Sequence, residues 1–145
     1  MAFCYLSQLR SLGGSHLEKL DSMTNSSSVD GVARLCVEYW KLMRASLRAA
    51  DQLPEKDSKR LIAQVKFSDL QLATISGQLG LNLVSFDGES FSVGMPASAD
   101  NGEDFSQDED LVVTKTIEPA VVREMKVVHK GRVLVARRSD EEQEE

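Results

Sequence analysis

The fold of this chain is decided by Val32–Ser90, which reads VARLCVEYWKLMRASLRAADQLPEKDSKRLIAQVKFSDLQLATISGQLGLNLVSFDGES. In its first half, apolar residues recur every three or four positions, which is typical of a helix with a broad apolar face. These residues are Val32, Cys36, Tyr39, Met43, Leu47 and Ala50. After residues 51–56 the same spacing resumes and continues to Gly80, a residue suited to the left-handed position that follows a helix. The stretch therefore predicts two helices joined as an αα-hairpin.

Each predicted helix is apolar over more of its surface than one neighbouring helix covers. Two hairpins from two copies of the chain would complete a four-helix bundle, so we expect a homodimer. The residues expected at the dimer interface are Leu35, Tyr39, Leu42, Leu61, Val65, Leu72, Ile75 and Leu79. Tyr39 and Trp40 are adjacent and cannot share one helix face. We expect one ring to pack within the hairpin and the other to meet a partner chain or the β unit.

A β unit follows the hairpin, because from Leu81 the apolar residues alternate and Asp87–Gly88 is a signal for a two-residue hairpin turn. Later runs are rich in β-branched residues, which favours strands. They are Leu111–Ile117, Ala120–Val122, Met125–Val128 and Arg132–Ala136. These runs predict an antiparallel meander. The expected fold class is α+β, an N-terminal helical hairpin followed by a small antiparallel β-wing.

The chain divides by pattern into four parts. Residues 1–28 hold short helical pieces, interrupted at Gly13–Gly14, and a polar linker at Thr24–Ser28. Residues 29–80 are the helical dimerisation region, and residues 81–138 are the β-wing. Residues 139–145 form a block of acidic side chains that we expect to be disordered.

Composition limits the kinds of function. With 145 residues, the chain is too small for a large enzyme core. Its net charge of −6 argues against nucleic-acid binding, which depends on a clustered basic surface. No run approaches the ~20 apolar residues of a membrane span, and the first ten residues lack the basic segment of a secretory signal. The two cysteines form no C-x-x-C pattern. We expect a cytoplasmic protein without nucleic-acid or membrane partners.

The sequence contains no set of residues typical of catalysis. The two histidines stand in no metal-binding spacing, and neither a nucleophile motif nor a phosphate-binding glycine loop is present. The acidic loop, residues 100–110, does not meet the spacing of a calcium loop. We therefore expect no enzyme, no cofactor and no metal site.

Positive charge is concentrated in two places. Lys41, Arg44 and Arg48 recur at steps of three and four on the first helix, and form one basic stripe. Residues 111–138 contain seven basic and two acidic side chains, although the whole chain is acidic. Both features are compatible with a solvated surface, and both favour an acidic partner surface if they are contact sites.

The order of these parts resembles the GrpE family, the nucleotide exchange factors of DnaK-type heat-shock chaperones. The β unit of that family opens with a pattern close to G-[VL]-x-x-[IV]-x-x-x-G-E-x-F-D-P. The matching residues are Gly80, Leu81, Val84, Gly88, Glu89 and Phe91. The later strands Val112–Val113 and Val133–Arg137 also look like the family's last segment. The resemblance covers about residues 30–138.

The resemblance implies a dimeric co-chaperone whose wing and helix flank bind the ATPase domain of a DnaK-type chaperone and accelerate ADP release. The residues expected to contact the chaperone are Gly88, Glu89, Phe91, Met95, Arg44 and Arg48. Ser92–Val93 stands where the family has Asp-Pro. This difference keeps an alternative open, a dimeric adaptor or scaffold without exchange activity.

Overall fold

The chain has an α+β fold in which two helices are followed by two small sheets. The computed structural model describes residues 3–141, with side chains for residues 26–139. It divides into two compact units, Met1–Val32 and Ala33–Glu145. The first unit is helical from Phe3, and the second contains all the strands. The predicted acidic tail lies mostly outside the described residues, and its start belongs to a single helical turn, α3, Arg138–Glu141.

Helix α1 spans Phe3–Ala50. The interruption predicted at Gly13–Gly14 and the linker predicted at Thr24–Ser28 are therefore corrected, because both segments are helical. A glycine inside a helix costs only about 1 kcal/mol relative to alanine, and a serine costs less. The apolar residues spaced three apart on either side of the glycines favour one helix over two pieces.

Helix α2 spans Glu55–Gln78, with Pro54 at its N-cap. As predicted, Gly80 follows its end in the left-handed conformation, with a φ of 71°. Gly80 N–H donates to Gly77 O at 3.0 Å, and Leu81 N–H donates to Ser76 O at 2.9 Å. This pair of hydrogen bonds is the Schellman motif, and the apolar residue after the glycine, Leu81, is buried.

The two helices pack through a cluster formed by Trp40, Met43 and Val65, all buried. The side chains packed against this cluster are Leu47, Leu61, Leu72 and Leu83. Leu83 belongs to the first strand, so the Trp40 cluster joins both helices to the β unit. The predicted αα-hairpin is confirmed, and Trp40 is the ring that lies inside it.

The β unit contains six strands in two three-stranded sheets. The strands are β1 Asn82–Val84, β2 Ala97–Ala99, β3 Leu111–Glu118, β4 Ala120–Arg123, β5 Lys126–His129 and β6 Gly131–Arg137. One sheet has the order β1-β4-β5 and the other the order β2-β6-β3. The last four strands lie where the β-branched runs predicted them.

The predicted meander holds only between β4 and β5, because strand β3 pairs antiparallel with β6 while β4 pairs with β1 and β5. Strand β2 pairs parallel with β6, so the second sheet is mixed. Only Pro119 separates β3 from β4, and a hairpin needs a connection of at least two residues. The chain therefore cannot fold back at this point, and β4 continues into the other sheet.

The Asp87–Gly88 turn does not connect two paired neighbouring strands, which corrects the predicted hairpin. Instead it is bonded to β3: Gly88 N–H donates to Val113 O at 2.8 Å, and Thr116 N–H donates to Asp87 Oδ1 at 2.6 Å. Gly88 has a φ of 80°, a conformation that favours glycine. The turn is therefore fixed against the sheet.

The core of the β unit lies under this turn. Its buried side chains are Phe86, Ala97, Leu111, Val113, Ala120, Val133 and Val135. Gly131 lies where the chain crosses closely between sheets, since a Cβ there would stand 3.0 Å from Ala120 N and from Glu118 O. A side chain at position 131 would force these backbones apart.

Candidate functional site

A groove of about 330 Å³ lies where α1 meets β3 and the Asp87 turn. The residues that line it are Trp40, Lys41, Arg44, Arg48, Asp87, Lys115, Thr116 and Ile117. We call it the basic groove, because four of these side chains are cations and one is an anion. Both helix arginines of the predicted contact set lie in it, beside the turn that leads directly to Gly88 and Glu89.

Three cations of the basic groove have no ion-pair partner among the residues with described side chains. These are Arg44, Arg48 and Lys115, and all three are exposed. The guanidinium of Arg44 stacks over the Trp40 ring, 4.9 Å from its centroid, which fixes its direction. The groove therefore presents positive charge on a partly rigid surface, suited to a carboxylate-rich partner.

Lys41, the fourth cation, is engaged within the chain, so the predicted stripe is only partly open to a partner. Its Nζ lies 3.1 Å from Glu38 Oε1 and 3.2 Å from Glu118 Oε1. Hydrogen bonds to Glu38 and Glu118 raise the pKa of the Lys41 ammonium. Lys41 is therefore a junction residue that ties α1 to the end of β3.

The Glu118 carboxylate contacts side chains from three other elements. It accepts from Lys41 of α1 at 3.2 Å and from Arg132 of β6 at 3.3 Å, and it lies 3.4 Å from His129 Nε2 of β5. The Glu118 side chain is only 14% exposed. Burial alone raises the pKa of Glu118, but hydrogen bonds from Lys41 and His129 hold it below the ordinary value of a glutamate.

Replacing Glu118 with a neutral residue tests whether its ion pairs stabilise the fold. Because its folded pKa is lowered, its ion pairs stabilise the fold above the unfolded pKa of about 4.3 and lose their effect as pH falls through the folded value. We expect Glu118→Gln to lower the free energy of unfolding by about 1 kcal/mol at neutral pH. Urea unfolding at about pH 7 and about pH 3 measures the change, which should shrink at the lower pH.

The matched control is Glu103→Gln, an exposed glutamate on the acidic loop. We expect it to change the free energy of unfolding by less than about 0.5 kcal/mol at either pH. A loss in Glu118→Gln that is the same at both pH values would contradict the assignment.

Three of the seven basic residues counted in the β unit are paired within the chain by the acidic loop. Arg132 bonds both carboxylate oxygens of Asp100, at 3.0 and 2.6 Å. Arg137 bonds Glu109 at 2.8 and 3.2 Å. Arg138 lies 3.0 Å from Asp110. The acidic loop thus neutralises Arg132 and Arg137 of β6 and Arg138 of α3, so this part of the predicted basic surface is engaged within the chain.

These pairs change the titration of the loop carboxylates. A hydrogen bond from Arg132 lowers the pKa of Asp100, and hydrogen bonds from Arg137 and Ser106 lower the pKa of Glu109. Within the described residues, no group of three or more acidic, histidine or cysteine side chains has an arrangement that could hold a metal ion.

The other predicted contact residues divide between surface and core. Gly88 and Glu89 are exposed, directly after Asp87 of the basic groove. Phe91 and Met95 are half-buried and pack against the core of the β unit. Of the eight residues that line the basic groove, only Arg44 and Arg48 were predicted as contacts, and the other six, Lys115 and Trp40 among them, were not. Lys115 is exposed on strand β3, but nothing in the sequence shows that its strand packs beside α1.

The residues predicted for the dimer interface fall into an exposed group and a group packed within the hairpin. Five of its residues are exposed in the single chain: Leu35, Tyr39, Leu42, Ile75 and Leu79. Val65 is buried inside the hairpin and is reassigned to the core within the chain, whereas Leu61 and Leu72, which pack against the same cluster, are half-buried. Periodicity shows that a face is apolar but not which neighbour covers it. Phe67 and Leu70 on α2 are exposed apolar residues that the prediction omitted.

No family model, no curated protein and no solved structure matches this chain. Over the part of the chain that the structure describes, no helix combines the length and apolar character needed to cross a bilayer. The structure shows an α+β chain with a basic groove between helix α1 and strand β3.

Proposed function

We propose that this chain is a cytoplasmic co-chaperone that binds the ATPase domain of a DnaK-type chaperone and accelerates ADP release. The observation that carries the proposal is the basic groove, in which Arg44 and Arg48 of the helix and the turn leading to Gly88 and Glu89 form one surface. The resemblance to the GrpE family assigns contact to the same two elements. A binding protein of this kind needs no catalytic residue of its own.

The mechanism is differential binding to two states of the partner. A protein that fits the open form of a nucleotide cleft better than the closed form shifts the equilibrium by the ratio of its two affinities. The Trp40 cluster and Glu118 hold the helix and sheet sides of the groove together. A partner that contacts both sides therefore meets them at a fixed spacing, and only one of its states can fit both.

Thermodynamic reciprocity provides the test. If the chain lowers the affinity of the ATPase domain for ADP, ADP must lower the affinity of the chain for the domain by the same factor. Calorimetric titration of the chain into the nucleotide-free domain and into the ADP-loaded domain measures this factor. We expect tighter binding to the nucleotide-free domain. Equal affinities would show that the chain cannot act as an exchange factor for that chaperone.

We further propose that the active form is a homodimer that associates through the hairpin. Leu35, Tyr39 and Leu42 form an exposed apolar stripe at helical spacing on α1, and Phe67 and Leu70 are exposed on α2. Apolar stripes of this kind favour association in a four-helix bundle.

A charge in the α1 stripe tests the dimer. We expect Leu42→Glu to convert the dimer to a monomer at micromolar concentration, because a carboxylate buried without a partner costs several kcal/mol. Sedimentation velocity measures the change, and far-UV circular dichroism checks that helicity is retained. The control is Val93→Glu, which adds the same charge at a fully exposed loop residue. A dimeric Leu42→Glu protein with unchanged helicity would exclude this face as the interface.

The second candidate is a dimeric adaptor that binds a chaperone without exchange activity. The observation that favours it is the packing of Phe91 and Met95 against the core of the β unit, which leaves these two predicted contacts only partly exposed. An adaptor would bind the nucleotide-free and the ADP-loaded domain equally well, so the calorimetric titration separates the two candidates.

A further inference from the structure

Ser106 is an exposed hydroxyl in the acidic loop, held beside an arginine of the sheet. Its Oγ donates a hydrogen bond to Glu109 Oε1 at 2.9 Å. The same carboxylate accepts two hydrogen bonds from Arg137, at 2.8 and 3.2 Å. Ser106 Oγ is therefore separated from the guanidinium by a single carboxylate oxygen.

The sequence around Ser106 is Ser106-Gln107-Asp108-Glu109-Asp110, with carboxylates two, three and four residues after the serine. Kinases select substrates by charge pattern, and a kinase with a basic substrate groove prefers serines followed by carboxylates. Gln107 and Asp108 are exposed, like Ser106, so the segment is accessible. Exposed loops of this kind are readily reached by modifying enzymes.

Arg137 is already positioned to receive an anion at this point. Its guanidinium stacks over the Phe105 ring, 5.7 Å from the centroid, and Phe105 packs against the core of the β unit. The residue before Ser106 is thus anchored, and the guanidinium beside it has a defined direction. Arginine binds phosphate through two parallel hydrogen bonds, as it binds carboxylate.

We propose that Ser106 is a phosphorylation site for an acidophilic serine kinase, and that its phosphate replaces Glu109 as the partner of Arg137. In the reaction, Ser106 Oγ forms a bond to the γ-phosphorus of ATP, the bond between that phosphorus and the β,γ-bridging oxygen breaks, and ADP and the hydroxyl proton leave. Loss of the proton removes the hydrogen bond that Ser106 donates to Glu109. The added charge of about −1.5 to −2 repels the carboxylate and attracts the guanidinium.

The consequence is a change in the loop that covers β6. The Glu109 carboxylate is released into solvent, and the phosphate on Ser106 forms a stronger ion pair with the Arg137 guanidinium. The acidic loop gains charge on the same surface. This inference does not depend on the proposed co-chaperone activity, because it concerns residues outside the basic groove.

The experiment uses the full chain, an acidophilic serine kinase of the casein kinase type and Mg-ATP. Ser139 also precedes acidic residues, so the reaction is run on Ser139→Ala to remove a competing site. We expect tandem mass spectrometry to locate phosphate on Ser106, and we expect that phosphate to be lost in the Ser106→Ala, Ser139→Ala protein. A protein that acquires phosphate only on other serines, or none, overturns the proposal.

Phosphorus NMR then tests the contact with Arg137. The second pKa of phosphoserine is about 6, and a cation within hydrogen-bond distance lowers it by about one unit or more. We expect the phosphate on Ser106 to titrate at a lower pH in the protein with Arg137 than in Arg137→Gln. An equal titration pH in the two proteins would overturn the exchange of partners even if Ser106 is phosphorylated.

Discussion

Replacing Trp40 with alanine is expected to lower the free energy of unfolding by about 3–5 kcal/mol, the largest effect of any single substitution considered for this chain. Trp40 is 8% exposed and packs with Met43 and Val65 between the helices. Leu83 of β1 packs against the same cluster, so the cavity would open where the hairpin meets the β unit. Arg44 would lose the ring on which it stacks.

Urea unfolding followed by far-UV circular dichroism measures this effect, at one fixed protein concentration because association stabilises the folded state. The control is Met125→Ala, which removes a large apolar side chain that is 97% exposed and lies outside the proposed dimer face. We expect it to cost about 1 kcal/mol or less. Equal losses in the two variants would show that Trp40 is not central to the packing.

Reversing both helix charges of the basic groove, Arg44→Glu with Arg48→Glu, is expected to weaken binding to the chaperone ATPase domain by at least about tenfold. The two side chains are exposed and have no ion-pair partner among the residues with described side chains. Within the chain their reversal removes the stacking of Arg44 on Trp40, and otherwise it acts on a partner. Like charges across an interface repel. The calorimetric titration described above measures the change.

The control for charge reversal is Lys56→Glu with Arg60→Glu, two exposed cations four positions apart on α2. It changes net charge by the same amount, away from the groove. We expect little change in affinity, and a weaker salt dependence in the groove variant, because exposed charges are screened beyond about 8 Å at physiological ionic strength. If both double variants lose affinity equally, net charge and not the groove governs binding.

Local structure was predictable from the sequence where a single segment determines it. The end of α2 at Gly80 follows from the conformation that glycine allows, and the strand positions follow from β-branched runs. The continuity of α1 through Gly13–Gly14 was missed, because the cost of two glycines is small beside that of starting a second helix. Predictions from local sequence patterns were correct where the pattern was strong, as at Gly80 and in the β-branched runs.

Strand pairing was not predictable, because it depends on connections and not on propensity. Strands β3 and β4 are adjacent in sequence, yet the single residue Pro119 between them prevents a hairpin and sends them to different sheets. The Asp87–Gly88 turn likewise has the residues of a hairpin turn, but its hydrogen bonds go to β3.

The candidate site was predictable in composition but not in its contacts. The stripe of Lys41, Arg44 and Arg48 follows from helical spacing, whereas the engagement of Lys41 by Glu118 requires that β3 end beside α1. From the sequence, residues 100–110 were recognised only as a loop rich in acidic side chains. Its pairing with Arg132 and Arg137 of β6 and with Arg138 of α3 joins residues about thirty positions apart, which no local pattern encodes.

The rate of ADP release tests the central claim most directly. A DnaK-type chaperone is loaded with a fluorescent ADP analogue and mixed in a stopped-flow instrument with excess unlabelled nucleotide, with and without this chain. We predict faster release with the wild-type chain, a much smaller acceleration with the Arg44→Glu, Arg48→Glu variant, and no binding of the analogue by the chain alone. An unchanged release rate with every DnaK-type chaperone of the same cell would contradict the proposed exchange activity.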